Sequence, residues 1–182
     1  RGLVNHGGFA EVAVLNQLGL NPAQLEEALA PGNNVRLASA ALNNTSWPSR
    51  HGTLLRGQPY LSELSWLRRS ADLDLAYSLV GLIHTIAPPA VRQEIAVATL
   101  APTHPWDALV CTSPAVQQAM EAMFDAQAEH YMARLGATGA PRPQLPLIPL
   151  AVDTERLVRE GADQQARAAL RQRLSIDQDD IL

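Results

Sequence analysis

The chain has 182 residues, 47% of them hydrophobic, which is enough for one sizeable core and the edge of a second. Net charge is -4 and all 14 basic residues are arginines, scattered without a stripe, which argues against a nucleic-acid partner. A single cysteine, Cys111, excludes an intrachain disulfide framework and a cysteine-built zinc site, and no apolar run approaches the ~20 residues of a membrane span.

The chain opens RGLVNHGG, without an initiator methionine or the shape of a signal peptide, so a processed or excised piece of a cytoplasmic protein is expected. Gly8 to Leu18 (GFAEVAVLNQL) has helical spacing, with Val12, Leu15 and Leu18 about a turn apart and Gly19 as the stop. Ahead of it, His6-Gly7-Gly8 reads either as an ordinary loop or as a glycine pair that lets backbone approach an anion at that helix's N-terminus. Asn21-Pro22 opens a second helix to Ala30, with Asn as cap and Pro at the first helical position. Asn33 to Pro59 is rich in Asn, Ser, Gly and Pro, and one strand is expected there, at Thr53–Arg56. Pro59 opens a third helix through YLSELSWLRR, with Leu61, Leu64 and Leu67 on one face.

From Asp72 onward the order is regular. Ala76–Thr85 reads as a strand, Pro88–Leu100 as a helix with Val91, Ile95 and Ala98 on one face, and Asp107–Ser113 as a second strand. Ser113-Pro114 caps a long helix to about Leu135, with Val116, Met120, Met123, Tyr131 and Leu135 as its apolar row and Gly136 and Gly139 as its end. QLPLIPLAV reads as a third strand, at an edge or bent, because Pro146 and Pro149 interrupt it. DTERLVRE and DQQARAALRQRL read as short helices, and DDIL as the first residues of a further strand. Strand and helix alternating at these spacings predict an α/β class, a Rossmann-like parallel sheet with flanking helices.

In such a sheet ligands bind beyond the carboxyl ends of the strands. That rule selects His84-Thr85, Thr112-Ser113 and Val152-Asp153. Thr112, Ser113 and Asp153 each also fit the plain role of capping the following helix. His84 precedes its helix by too much to cap it. Two readings stay open for it: a hydrogen bond to a substrate hydroxyl, or satisfaction by a neighbouring carbonyl. His104 and His130 fit solvated or capping roles, and no histidines stand at metal-ligand spacing. Cys111, inside an apolar strand, reads as an inert buried thiol.

A strand ending in HT, then WDALVCTSPAV, then LPLIPLAVDTERL resembles, over about residues 76–182, the first half of retaining glycosyltransferases of family 4, which have the two-domain GT-B fold. The resemblance implies an N-terminal, acceptor-side domain over residues 1–150, with 151–182 as the hinge and the start of a C-terminal domain. It implies a hexosyl group transferred from a nucleotide-sugar to a glycan or lipid-linked acceptor, as in polysaccharide biosynthesis. The activity would belong to the full-length protein, the isolated chain being inactive, and the lipid-linked case allows peripheral membrane association. No metal or cofactor is implied. By this likeness His84 is the catalytic-site histidine that contacts the transferred sugar, Thr85 accompanies it, and Ser113 lies at the base of the cleft. Gly7 and Gly8 correspond to the family's glycine-rich loop near the diphosphate. Asp153 belongs to the hinge, where Ala151 replaces the family's usual Gly. A nucleotide-sugar epimerase of the same fold and a non-catalytic α/β binding module are the rival readings.

Overall fold

Parallel strands cannot be joined by a tight turn, so the chain must cross over between them, and helices make most of its crossovers. The computed structural model describes residues 2–32, 34–177 and 180. In chain order it contains α1 (Gly2–His6), β1 (Glu11–Leu15), α2 (Pro22–Leu29), β2 (Arg36–Ala40), β3 (Thr53–Arg56), α3 (Leu61–Ser70), β4 (Ser78–Ile83), α4 (Pro89–Ala98), β5 (Ala108–Cys111), α5 (Pro114–Leu135), α6 (Thr154–Gly161) and α7 (Gln164–Arg173). The class is α/β and Rossmann-like. β1 and β2 pair in parallel, and β3, β4 and β5 form a second parallel sheet in that order.

Local chemistry sets the helix boundaries. Asn21 and Gln24 close a reciprocal capping box at the start of α2, and Ser113 accepts the Val116 N–H at the start of α5. Proline occupies the first turn of α2, α4 and α5, where its missing N–H costs nothing. Gly136 ends α5 in the left-handed conformation, at φ 67°.

The core lies on one face of the three-stranded sheet. β4 alternates, burying Leu79, Gly81 and Ile83. Register sets Gly81 beside Leu109 and Ile83 beside Cys111, so the buried face continues into β5. Against it pack Leu61 and Leu64 of α3, Val91 and Ile95 of α4, and Met120 and Phe124 of α5. Each such Leu or Ile contributes about 1.5–3 kcal/mol by leaving water.

Four expectations need correction. The run from Gly8 to Leu18 is not a helix: Glu11–Leu15 is a strand, stabilised by its partner β2. β2 itself falls in a stretch expected to be irregular. The buried face of α3 is Leu61, Ser62, Leu64, Ser65 and Arg68, so the stripe passes one residue beyond Leu67, which is only half-buried. QLPLIPLAV forms two isolated bridges beside β5, Ala108 with Gln144 and Cys111 with Leu147, rather than a strand. The cause is Pro146. Gln144 N–H donates to Asp107 O, Leu109 N–H to Gln144 O, Cys111 N–H to Pro146 O and Ile148 N–H to Cys111 O. Only Leu109 O lacks its partner, because the residue that should donate to it is proline; the Cys111 thiol reaches it at 3.7 Å instead.

The chain divides into two units, one running to Pro149 and one beginning at Leu150. The second unit holds α6 and α7, capped by Asp153 and Asp163, and neither helix buries a residue. The further strand expected at DDIL lies largely outside the described residues, which include only Asp180 of the four.

Candidate functional site

The rim formed by the carboxyl ends of β3, β4 and β5 is built from short-range bonds. β4 ends at Ile83, and the next residue, His84, is exposed with its Nε2 3.0 Å from Gly57 O, just past β3. A carbonyl only accepts, so Nε2–H donates, and Nδ1 of the neutral ring is left as the acceptor. Gly81 makes this arrangement fit. A Cβ there would stand 3.0 Å from Gln58 O and 2.9 Å from Leu109 Cδ2. Without it, the β3–α3 turn closes down on β4 and brings the Gly57 carbonyl to the imidazole.

The loop beyond His84 is fixed as well. Thr85 Oγ1 accepts the Ala87 N–H at 3.1 Å, which leaves its own proton to donate. Arg92, from α4, donates to Ile86 O at 3.0 Å and also to Ala87 O. On the neighbouring strand Thr112 Oγ1 donates to Ile83 O at 3.2 Å, tying the two strand ends together. Ser113 Oγ accepts the Val116 N–H at 3.2 Å.

Of the residues selected from sequence, His84, Thr85, Thr112 and Ser113 therefore share one rim. His84 has the carbonyl partner that was one of its two readings, and it keeps a second ring nitrogen. Ser113 is a helix cap, whereas Thr112 is not; it bridges strands. Asp153 caps α6 in the second unit by accepting the Arg156 N–H at 2.9 Å. Gly7 and Gly8 precede β1, a strand, so no helix N-terminus follows them to hold an anion. They lie at the amino end of their strand, where packing explains them: a Cβ at Gly7 would strike the Leu3 carbonyl and the Phe9 ring, and Gly8 has φ 68°.

The sequence reading missed the most buried polar group. Arg68 and Asp107 are both fully buried, and they pair through two bonds. Arg68 also donates to Tyr77 O at 2.7 Å and Pro102 O at 3.2 Å, while Asp107 accepts the Leu79 and His104 N–H groups at 2.7 and 2.8 Å. Tyr77 and Asp107 directly precede β4 and β5, so this hub closes the amino ends of the strands, opposite the rim. Its signal in the sequence was an arginine at the buried spacing of α3. Nearby, His104 is not merely solvated: it stacks on Trp106 at 4.3 Å and pairs with Asp74 at 3.3 Å. Asp74 is held below the usual carboxylate value by its bond from Arg69, against the effect of burial, with His104 adding to the shift.

Among the described residues no group of three or more His, Cys, Asp or Glu side chains is placed to hold a metal ion, and no helix is long and apolar enough to cross a membrane. No family model, no curated protein and no solved structure matches the chain.

Proposed function

We propose that the first unit is the acceptor-side half of a retaining sugar transferase of the GT-B kind, moving a hexosyl group from a nucleotide-sugar to a glycan or lipid-linked acceptor. One observation carries the reading: an exposed imidazole at the carboxyl end of the central strand, clamped through Nε2 to Gly57 O with Nδ1 left over, and followed in the chain by the Thr85 hydroxyl. The order of the HT, WDALVCTS and LPLIPLAVD motifs supports it. In this role His84 positions the transferred sugar through a hydrogen bond rather than removing a proton from it, and the leaving diphosphate is stabilised by groups outside this chain. Closure of the second half over the rim excludes water. No metal or cofactor takes part, and the setting is cytoplasmic.

The test is titration of the chain with nucleotide-sugars and with oligosaccharides, following the His84 ring and Thr85 by NMR. Shifts confined to the rim, with the Thr85 shift needing about tenfold more ligand in His84→Ala, are expected with at least one ligand class, and no turnover is expected from the chain alone. Transfer by the isolated chain would contradict a half-cleft. A second reading, a non-catalytic binding or assembly module, draws on the fact that His84 and Ser113 both already serve the fold; silence at the rim toward both ligand classes would favour it.

A further inference from the structure

The imidazole of His84 has a fixed polarity on one side and an adjustable one on the other. Nε2 lies 3.0 Å from Gly57 O, and a carbonyl accepts from N–H whether the ring is neutral or charged. The clamp therefore holds in both charge states, and the ring need not turn between them. What changes with the second proton is Nδ1 alone. It offers a lone pair in the neutral ring and an N–H in the imidazolium.

The surroundings leave that change uncompensated. His84 is exposed, and among the described residues it has no carboxylate partner. The charged groups on the elements around it are engaged elsewhere. Arg56, at the end of β3, pairs with Glu63 of α3 at 2.8 Å. Arg92 of α4 donates to Ile86 O and Ala87 O, and Glu94 of the same helix accepts from Ser62 Oγ at 3.1 Å. Arginine keeps its charge throughout the range in which an imidazole titrates, so Arg56 and Arg92 supply a constant background. The segment from β5 into α5 brings only Thr112 and Ser113 to the rim, and neither titrates.

Ligand oxygens divide accordingly. A hydroxyl both donates and accepts, so it can meet Nδ1 in either state. The oxygens of sulfate, of an ionised carboxylate or of a nucleotide-sugar diphosphate only accept. They face a lone pair when the ring is neutral and a charge-assisted N–H when it is charged. We propose that His84 is a proton-gated anion contact, open to hydroxyls in both charge states and to acceptor-only anions only as the imidazolium. The inference rests on the rim being a ligand site, as proposed above, but not on the ligand being a sugar. Within the sugar-transferase reading it assigns positions. While the ring is neutral, a sugar hydroxyl lies on His84 and the leaving diphosphate lies off it.

The test uses the full chain, isotope-labelled and held at constant ionic strength so that screening does not vary. Ring nitrogen shifts read the tautomer first. At about pH 8, Nε2 protonated and Nδ1 bare is expected, and the opposite tautomer would overturn the proposal. Sodium sulfate, whose charge is constant, and methyl glucoside are then titrated separately at about pH 5.5 and 8, with readout at His84 and Thr85. Sulfate is expected to bind about tenfold or more tightly in acid, with the glucoside changing by less than about threefold. In His84→Gln, an exposed substitution, the pH dependence of sulfate binding should disappear. Equal sulfate affinity at both pH values, no rim shift with sulfate at either, or a pH dependence that survives in His84→Gln overturns the gate. Loss of glucoside binding on acidification overturns it as well, because the hydroxyl would then depend on the lone pair. The two readings fail separately. Sulfate shifts that appear on acidification while the glucoside stays silent support the gate and count against the sugar, and glucoside shifts without sulfate shifts do the reverse.

Discussion

Arg68 and Asp107 meet side-on, Nη1 to Oδ1 at 2.9 Å and Nη2 to Oδ2 at 2.8 Å, with both side chains sealed from solvent. The pair joins α3 to the amino end of β5 across 39 residues of sequence. Removing one member strands a buried charge, so Asp107→Ala and Arg68→Ala should each lower unfolding free energy by about 3–5 kcal/mol. The double variant Arg68→Ala with Asp107→Ala should cost less than the sum of the two, as urea titrations in a double-mutant cycle would show. Full additivity would mean that the two side chains act separately.

Gly81→Ala tests the closure of the rim. The new methyl meets Gln58 O and Leu109, and relieving the clash moves the β3–α3 turn. A loss of about 1–3 kcal/mol is expected, together with disappearance of the hydrogen-bonded His84 Nε2–H resonance. Retention of that resonance would show that the turn reaches His84 without the help of Gly81.

His84→Ala should separate fold from function. The ring is exposed and its loss returns Gly57 O to water, so stability should fall by no more than about 1 kcal/mol. Affinity for the ligand that shifts the rim should fall about tenfold, equivalent to about 1.4 kcal/mol. Unchanged affinity would remove His84 from the proposed site.

Stability should be bounded on both sides in pH. Asp74 titrates below its ordinary 3.8 in the folded chain, so its contribution is present above that pH and is lost as pH falls through the lowered folded value. Burial raises the Cys111 thiol above 9.0, with the Glu121 charge adding. Burial likewise raises the Tyr77 phenol above 10.0, against the pull of Arg68. The folded state keeps protons that the unfolded chain releases, so these contributions hold below about pH 9 and are lost as pH rises. Thermal melts from pH 3 to 10.5 (in about half-unit steps) check both limbs, and Asp74→Asn should flatten the acid one. Cys111 should resist alkylation in the folded chain and react on unfolding; rapid native alkylation would contradict its burial.

The legible parts of the fold were those decided locally. Caps and prolines fixed the starts of α2, α4 and α5, and the apolar run before His84 fixed β4. β1 was misread because Val12, Leu15 and Leu18 happen to fall at helical spacing. A short apolar run becomes a strand only through its neighbour, and β2, built from Arg36-Leu37-Ala38-Ser39-Ala40, carries little β-propensity of its own. The site divides the same way. The position of His84 follows from where the strand stops, but its partner Gly57 comes from the turn after another strand, and the Arg68–Asp107 pair from two distant parts of the chain. Such pairings depend on which elements meet, and no local pattern records that.

The polar anchors of the three-stranded sheet sit at one end, and at the other the groups open to a ligand are held by single bonds to backbone. Substitutions at the two ends should therefore drift at different rates. Related chains should exchange Thr85 or His84 at little cost to the fold while keeping an arginine and an aspartate facing each other at the far end of the strands. A pair retained where the rim has changed would mark shared ancestry.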